Sequence, residues 1–209
     1  VNNAGFNAFQ AGFIGGGGSR AAGYGPGAGL QSEGAGYGGQ GGPGGNPPTT
    51  SGGPTYGVSN APIDPGSGGG RSGATTTPIN SGGAGGGLIR LEINDSLLLE
   101  GQLKAHGRFG SGTRYSGGGS GGGIYVQCRT ISGTTGYLGA DGGEGFDGSP
   151  HGGSGGGGRI FVMCVSSNNW TGSNSVNPGI ESFSANRGAT GTVFFVTTGL
   201  PVVNFFFFE

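Results

Sequence analysis

Three apolar stretches, each entered through a run of glycines, recur in this chain at nearly constant spacing. They are Leu88-Ile89-Arg90-Leu91-Glu92-Ile93, Ile124-Tyr125-Val126-Gln127-Cys128 and Ile160-Phe161-Val162-Met163-Cys164. Their offsets are 124−89 = 35 and 160−124 = 36 residues. Alternate positions then fall into columns: Ile89, Ile124 and Ile160; Leu91, Val126 and Val162; Ile93, Cys128 and Cys164. Successive side chains of a strand point to opposite faces, so apolar alternation marks a half-buried strand. A unit of this size cannot bury its apolar columns alone, and stacking it on its neighbours makes a continuous core.

A second motif follows each stretch. It reads Leu103-Lys104-Ala105-His106-Gly107, then Leu138-Gly139-Ala140-Asp141-Gly142, then Phe183-Ser184-Ala185-Asn186-Arg187-Gly188. The first two begin 103−93 = 10 and 138−128 = 10 residues after the third column, and the last 183−164 = 19. An insertion of nine residues is therefore expected in the third unit, around Asn169-Trp170-Thr171. A last strand, Val193-Phe194-Phe195-Val196, stands where a fourth unit would begin. The expected fold class is all-β: a glycine-rich β-solenoid, parallel β-helix-like, with extended polyglycine or polyproline II-like segments. One structural domain is expected in two parts. Residues 1–87 form a Gly/Pro-rich wrap, and residues 88–209 form the coils with an aromatic C-terminal strand.

Composition narrows function. The chain has 59 glycines and 11 prolines among 209 residues, so ordering it carries a large entropic cost that dense backbone contacts must offset. Charged residues are 9%, where an ordinary domain has about 25%. With a net charge of -1 there is no basic face for nucleic acid, and so weakly charged a surface favours association. No apolar run is long enough to span a membrane. The chain starts at Val1 and its one methionine is Met163, as expected of a processed chain or a fragment.

Several segments carry a resemblance. Pro54-Thr55-Tyr56-Gly57, Gly66-Ser67-Gly68-Gly69-Gly70-Arg71-Ser72, GGAGGGLIRLEI, GGGSGGGIYVQC and GGSGGGGRIFVMC together resemble a class of glycine-rich repeat proteins of the extracellular or cell-surface type. The resemblance covers roughly residues 50–165. It implies a surface or matrix location and a β-solenoid-like fold, and its pattern includes no catalytic residue. More distantly, the chain is similar to phage tail-fibre tips and to small antifreeze proteins built from polyglycine helices, which lack the alternating apolar strands.

Cys128 and Cys164 share a column of adjacent strands, which sit about 4.8 Å apart, so a disulfide between them is expected. Asn94-Asp95-Ser96 and Asn169-Trp170-Thr171 match the glycosylation sequon, the second in the expected loop. Gly142 to Asp147 matches most of a calcium-binding nonapeptide, but such sites work as stacked copies and this one is single. Asp141, Glu144 and Asp147 read instead as a solvated acidic turn, and no metal or cofactor is expected. His106 and His151 fall in no metal-ligand or catalytic pattern, so no enzyme is expected.

The ends are the candidate assembly interface. Val202, Val203, Phe205, Phe206, Phe207 and Phe208 form a β-prone apolar tail that must be covered, and Phe6, Phe9 and Phe13 are the complementary plug. The expected function is an extracellular structural subunit of a filament, sheath or matrix, joined head to tail with copies of itself. The alternative is a surface adhesin or fibre tip binding glycans through Tyr24, Tyr37, Tyr56 and Tyr115.

Overall fold

The isoleucine columns are strand neighbours in the expected register. In the computed structural model, which describes residues 5–18, 20–45, 48, 50–71, 81–112, 115–146, 151–180 and 186–199, Ile89 pairs with Ile124, Ile124 with Ile160, and Ile160 with Val193. The described residues form nine strands: β1 (Gly5–Asn7), β2 (Leu88–Glu92), β3 (Ser96–Leu98), β4 (Gln102–Lys104), β5 (Gly123–Gly133), β6 (Tyr137–Gly139), β7 (Arg159–Trp170), β8 (Ser173–Ser175) and β9 (Thr192–Thr197). They make two open parallel sheets. One has the order β1-β4-β6-β8; the other has β2-β5-β7-β9, with β3 also on β5. Between the sheets lies one core, centred on Leu99, Leu103, Ile124, Val126, Leu138, Ile160 and Val162, all fully buried.

The glycine-rich β-solenoid expected from the sequence is corrected. Neither sheet closes, and the repeats are not equal rungs. Where the first repeat has two short strands, β2 and β3, the next has the single 11-residue β5 and the third the 12-residue β7. Among the described residues no third sheet closes each turn. The chain between strands runs instead into a layer of glycine segments, where segments of residues 12–87 alternate with those of the repeats. Thus Gly69 N–H donates to Gly83 O (2.9 Å), Gly83 N–H to Gly117 O (2.9 Å) and Gly117 N–H to Gly70 O (2.8 Å). In the same way Gly156 N–H donates to Ala35 O (2.9 Å), Ala35 N–H to Gly118 O (3.0 Å) and Gly118 N–H to Gly153 O (2.9 Å). The near-constant offset of the strands looks like a closed coil in sequence, but the glycine layer is shared with a different part of the chain.

That layer explains the glycines. Of the glycines described, only Gly25, Gly45, Gly52, Gly57, Gly112, Gly133 and Gly199 have the positive φ that other residues rarely adopt. Elsewhere space decides. A Cβ on Gly121 would run into the Ala140 carbonyl and lie 2.6 Å from Gly158 N. Backbones this close satisfy each other's buried N–H and C=O groups without any sheet ladder.

Two arginines pin the N-terminal segments. Arg159 leaves the start of β7 with its guanidinium 5.3 Å from the Tyr37 ring centre. Its Nη2 donates to Tyr56 O (2.6 Å) and Tyr37 O (3.3 Å), and its Nη1 to Thr192 Oγ1 (3.2 Å). Arg71, 1% exposed, donates from Nη1 to Gly17 O (2.8 Å).

The expected nine-residue insertion is also corrected. The strand equivalent to β6 in the third repeat is β8, with Asn174 beside Leu138, and not the segment at Phe183. Residues 183–185 lie outside the described residues. The third repeat carries no net insertion over this span, since Cys164 to Asn174 is 174−164 = 10 residues, as Cys128 to Leu138 is; one residue is added only locally, where Cys128 pairs with Cys164, 36 positions on, and Thr130 with Ser167, 37 positions on. This is a β-bulge in β7.

Candidate functional site

The two ends of the stack are the most distinctive surfaces. At one end β1 and β2 are the edge strands; at the other β8 and β9 are. Among the described residues none pairs with the outer side of any of the four. Unpaired edges expose rows of N–H and C=O groups that template strand addition.

At the β1–β2 end lies an open groove of about 320 Å³, lined by Phe6, Ala8, Leu88, Ile89 and Leu91. The Phe6 side of it is 52% exposed, and Phe9 and Phe13 are also on the surface. Of the three phenylalanines of the sequence-assigned plug, Phe6 lines this groove. At the β8–β9 end, Phe194 (44% exposed) and Val196 (39%) face outward, while Phe195 stacks on Trp170 at 5.6 Å. The other half of the assigned interface, Val202, Val203 and Phe205 to Phe208, lies outside the described residues.

A column that sequence reading missed crosses the outer face of the larger sheet. It consists of Arg90, Tyr125, Phe161 and Phe194 in successive strands. The Arg90 guanidinium lies 4.3 Å from the Tyr125 ring centre, and Tyr125 stacks on Phe161 at 5.6 Å. Both are favourable contacts of an aromatic face. The signal was present at the positions between the apolar columns, where Tyr125 and Phe161 are aromatic and both are buried.

Cys128 and Cys164 are register partners, as expected, but the disulfide is corrected: both are free thiols with Sγ atoms 3.7 Å apart. That is a van der Waals separation, well beyond the roughly 2.05 Å of an S–S bond. Burial, then the neighbouring sulfur, pushes the Cys128 thiol up to about 12, and burial raises Cys164 too. The pair packs as two small apolar side chains in the core.

Asn94 and Asn169 are both exposed. Asn169 lies in β7 opposite Ser132, however, and not in a loop. Of the glycan-stacking tyrosines, Tyr37 is fully buried and packs on Tyr56 with ring centres 4.7 Å apart. Tyr24 is 58% exposed, and Tyr115 is half-buried.

A polar cleft of about 480 Å³ opens beside the smaller sheet, lined by His106, Asp141, Glu144, Asn177, Ile180 and Arg187. Asp141 N–H donates to His106 Nδ1 (2.9 Å), so that nitrogen carries no proton. Burial lowers the His106 pKa, against the pull of Asp141. The Asp141 carboxylate accepts the Ser175 hydroxyl and, at 2.7 Å, the Asn177 N–H. Serine therefore donates to the carboxylate and not to imidazole, which is not the relay of a nucleophilic triad. Among the described residues no group of His, Cys, Asp and Glu is arranged to hold a metal ion, and Asp147 lies outside them.

No family model matches the chain, and no curated protein or solved structure matches it.

Proposed function

We propose that this chain is a structural subunit that assembles with copies of itself into an extracellular filament, sheath or matrix. The observation that carries the reading is the pair of open parallel edges at each end, flanked by exposed Phe6, Phe9, Phe13 and Phe194. A monomer that stays apart normally protects such edges with charge, proline or a covering segment. Here β9 carries no charged residue, and β2 carries one Arg and one Glu that pair with each other (Nε to Oε1, 2.7 Å). A low overall charge of 9% charged residues leaves little long-range repulsion between copies. The extracellular placement rests on the resemblance of the glycine-run strands to surface and matrix proteins. The glycan-binding alternative has less support, because Tyr37 and Tyr56 spend their ring faces on each other and on Arg159.

Sedimentation velocity over a hundredfold range of concentration tests the reading. Growth into species well beyond a dimer is expected. A single monomer boundary throughout that range overturns it.

A further inference from the structure

The edges at opposite ends match in hydrogen-bond phase as well as in direction. In a parallel ladder alternate residues of a strand face alternate neighbours. Gly123 N–H donates to Gly87 O and Ile93 N–H to Gln127 O, so the odd-numbered residues of β2 serve β5. The even ones, Leu88, Arg90 and Glu92, aim their backbone groups outward. Thr192 N–H donates to Gly158 O and Thr198 N–H to Cys164 O, so the even-numbered residues of β9 serve β7. Val193, Phe195 and Thr197 are left facing outward.

If β9 continues onto the β2 of a second copy in the register that runs through the sheet, Val193 stands beside Ile89 of that copy. The outward groups of Val193 then meet those of Leu88 and Arg90 with the donor–acceptor order of the existing ladder. Side chains agree: Val193 extends the isoleucine column, and Phe195 extends the column of Leu91, Val126 and Val162. On the outer face Phe194 comes under Arg90 of the next copy, as Tyr125 does within one chain.

The smaller sheet has the same phase. Ala8 N–H donates to Lys104 O, leaving Gly5 and Asn7 outward on β1, and Ser173 N–H donates to Gly136 O, leaving Asn174 outward on β8. There the side-chain fit is poorer, because Asn174 would stand beside Phe6. The larger sheet therefore supplies most of the apolar contact at the junction.

We infer that the partner at these edges is a second copy of this chain, stacked head to tail with β9 pairing in parallel to β2 and Phe194 seated against Arg90. This rests on the self-assembly reading above and gives it a geometry. The contact is heterologous, so it propagates. Each copy adds four layers along each sheet. At about 4.8 Å per strand, the axial repeat is about 19 Å.

Cross-linking tests the junction. Arg90→Cys and Phe194→Cys are made in separate chains, mixed at an assembling concentration and mildly oxidised. Both sites are exposed, and circular dichroism confirms that each variant folds. Within one chain the two positions are three strand spacings apart, about 14 Å, which no disulfide bridges. Across the inferred junction they are adjacent. The mixture is expected to give a disulfide-linked dimer, and either variant alone is not. Phe194→Lys, which sets a like charge against Arg90, is expected to weaken assembly at least tenfold, with recovery on adding Arg90→Glu. Assemblies that form without the mixed cross-link overturn this junction and leave self-assembly standing. A chain that stays monomeric at every concentration overturns both. A chain that assembles only once residues 200–209 are removed overturns the junction for the intact protein, since its own tail then covers the β9 edge.

Discussion

Replacing Gly121 with alanine is expected to be among the most damaging single-methyl changes in this molecule. The added Cβ would meet the Ala140 carbonyl and lie 2.6 Å from Gly158 N, both backbone atoms that cannot turn aside. Relief requires one glycine segment to move away from its neighbours. Bonds crossing that contact include Gly121 N–H to Gly156 O (2.9 Å) and Gly158 N–H to Ala140 O (2.7 Å). Overpacking costs about 1–3 kcal/mol, and each buried bond left unmade about 1–3 kcal/mol more. Alanine also restricts the unfolded chain, which returns up to about 1 kcal/mol. With one of these bonds lost the net is about 1–6 kcal/mol, a fall in Tm of roughly 3 °C for each kcal/mol. Gly17 is the control, because a Cβ there meets nothing within 4 Å. Gly17→Ala is expected to be neutral or stabilising by up to about 1 kcal/mol. Urea unfolding followed by circular dichroism measures both. If the two variants unfold within about 1 kcal/mol of each other, the glycines are not there for backbone contact and the account of the layer is wrong.

Arg159→Leu leaves the Tyr56 carbonyl without its donor, while Tyr37 O keeps only the Tyr56 N–H (3.1 Å), and is expected to cost about 1–3 kcal/mol, with Arg159→Lys recovering only part because it lacks the fork. Limited proteolysis should then cut first near residues 50–60, and cutting unchanged from wild type counts against the clamp. The buried thiols should resist a disulfide reagent at pH 8 in the native protein and react twice per chain in urea; fast native reaction contradicts their burial. In the unfolded chain a thiol loses its proton near about 8.5, while folding holds Cys128 protonated to about 12, so stability should fall as pH rises above about 8.5. The fall should steepen above about 10, where Tyr56, raised to about 12 chiefly by burial, and Tyr37, raised further by the same cause, stay protonated only when folded. A flat denaturation profile from pH 8 to 11 is inconsistent with this. At the acid end, burial lowers the His106 pKa, so the unfolded chain takes up a proton first and stability should decline as pH falls below about 6.5; the decline should be smaller in His106→Gln.

The strand columns were legible because each is written in side chains: Ile89, Ile124 and Ile160 share a face, and their pairing reproduces the offsets counted in the sequence. The same logic failed at Asn174. In the last layer of the smaller sheet the inner column reaches an open end, so no apolar residue is required there, and Phe183 looked like the better match. The backbone register ignored that and kept its spacing from Leu103 through Leu138 to Asn174. The glycine layer was illegible for a related reason. Segments such as residues 66–70 and 117–121 choose partners by backbone approach, which leaves no side-chain period to read. The disulfide was inferred from strand spacing and from the even cysteine count, and shared register proved compatible with two packed thiols. At the ends, Phe6, Phe9 and Phe13 were singled out as apolar residues needing cover, whereas the roles of Arg90 and Phe194 emerged only once the strands were laid side by side.

Electron microscopy of the purified native protein, with averaging along any fibres present, is the measurement to make. Fibres with an axial repeat near 19 Å, four strand layers of about 4.8 Å each, are expected if copies continue one another's sheets. Discrete particles the size of one chain at every concentration would contradict self-assembly.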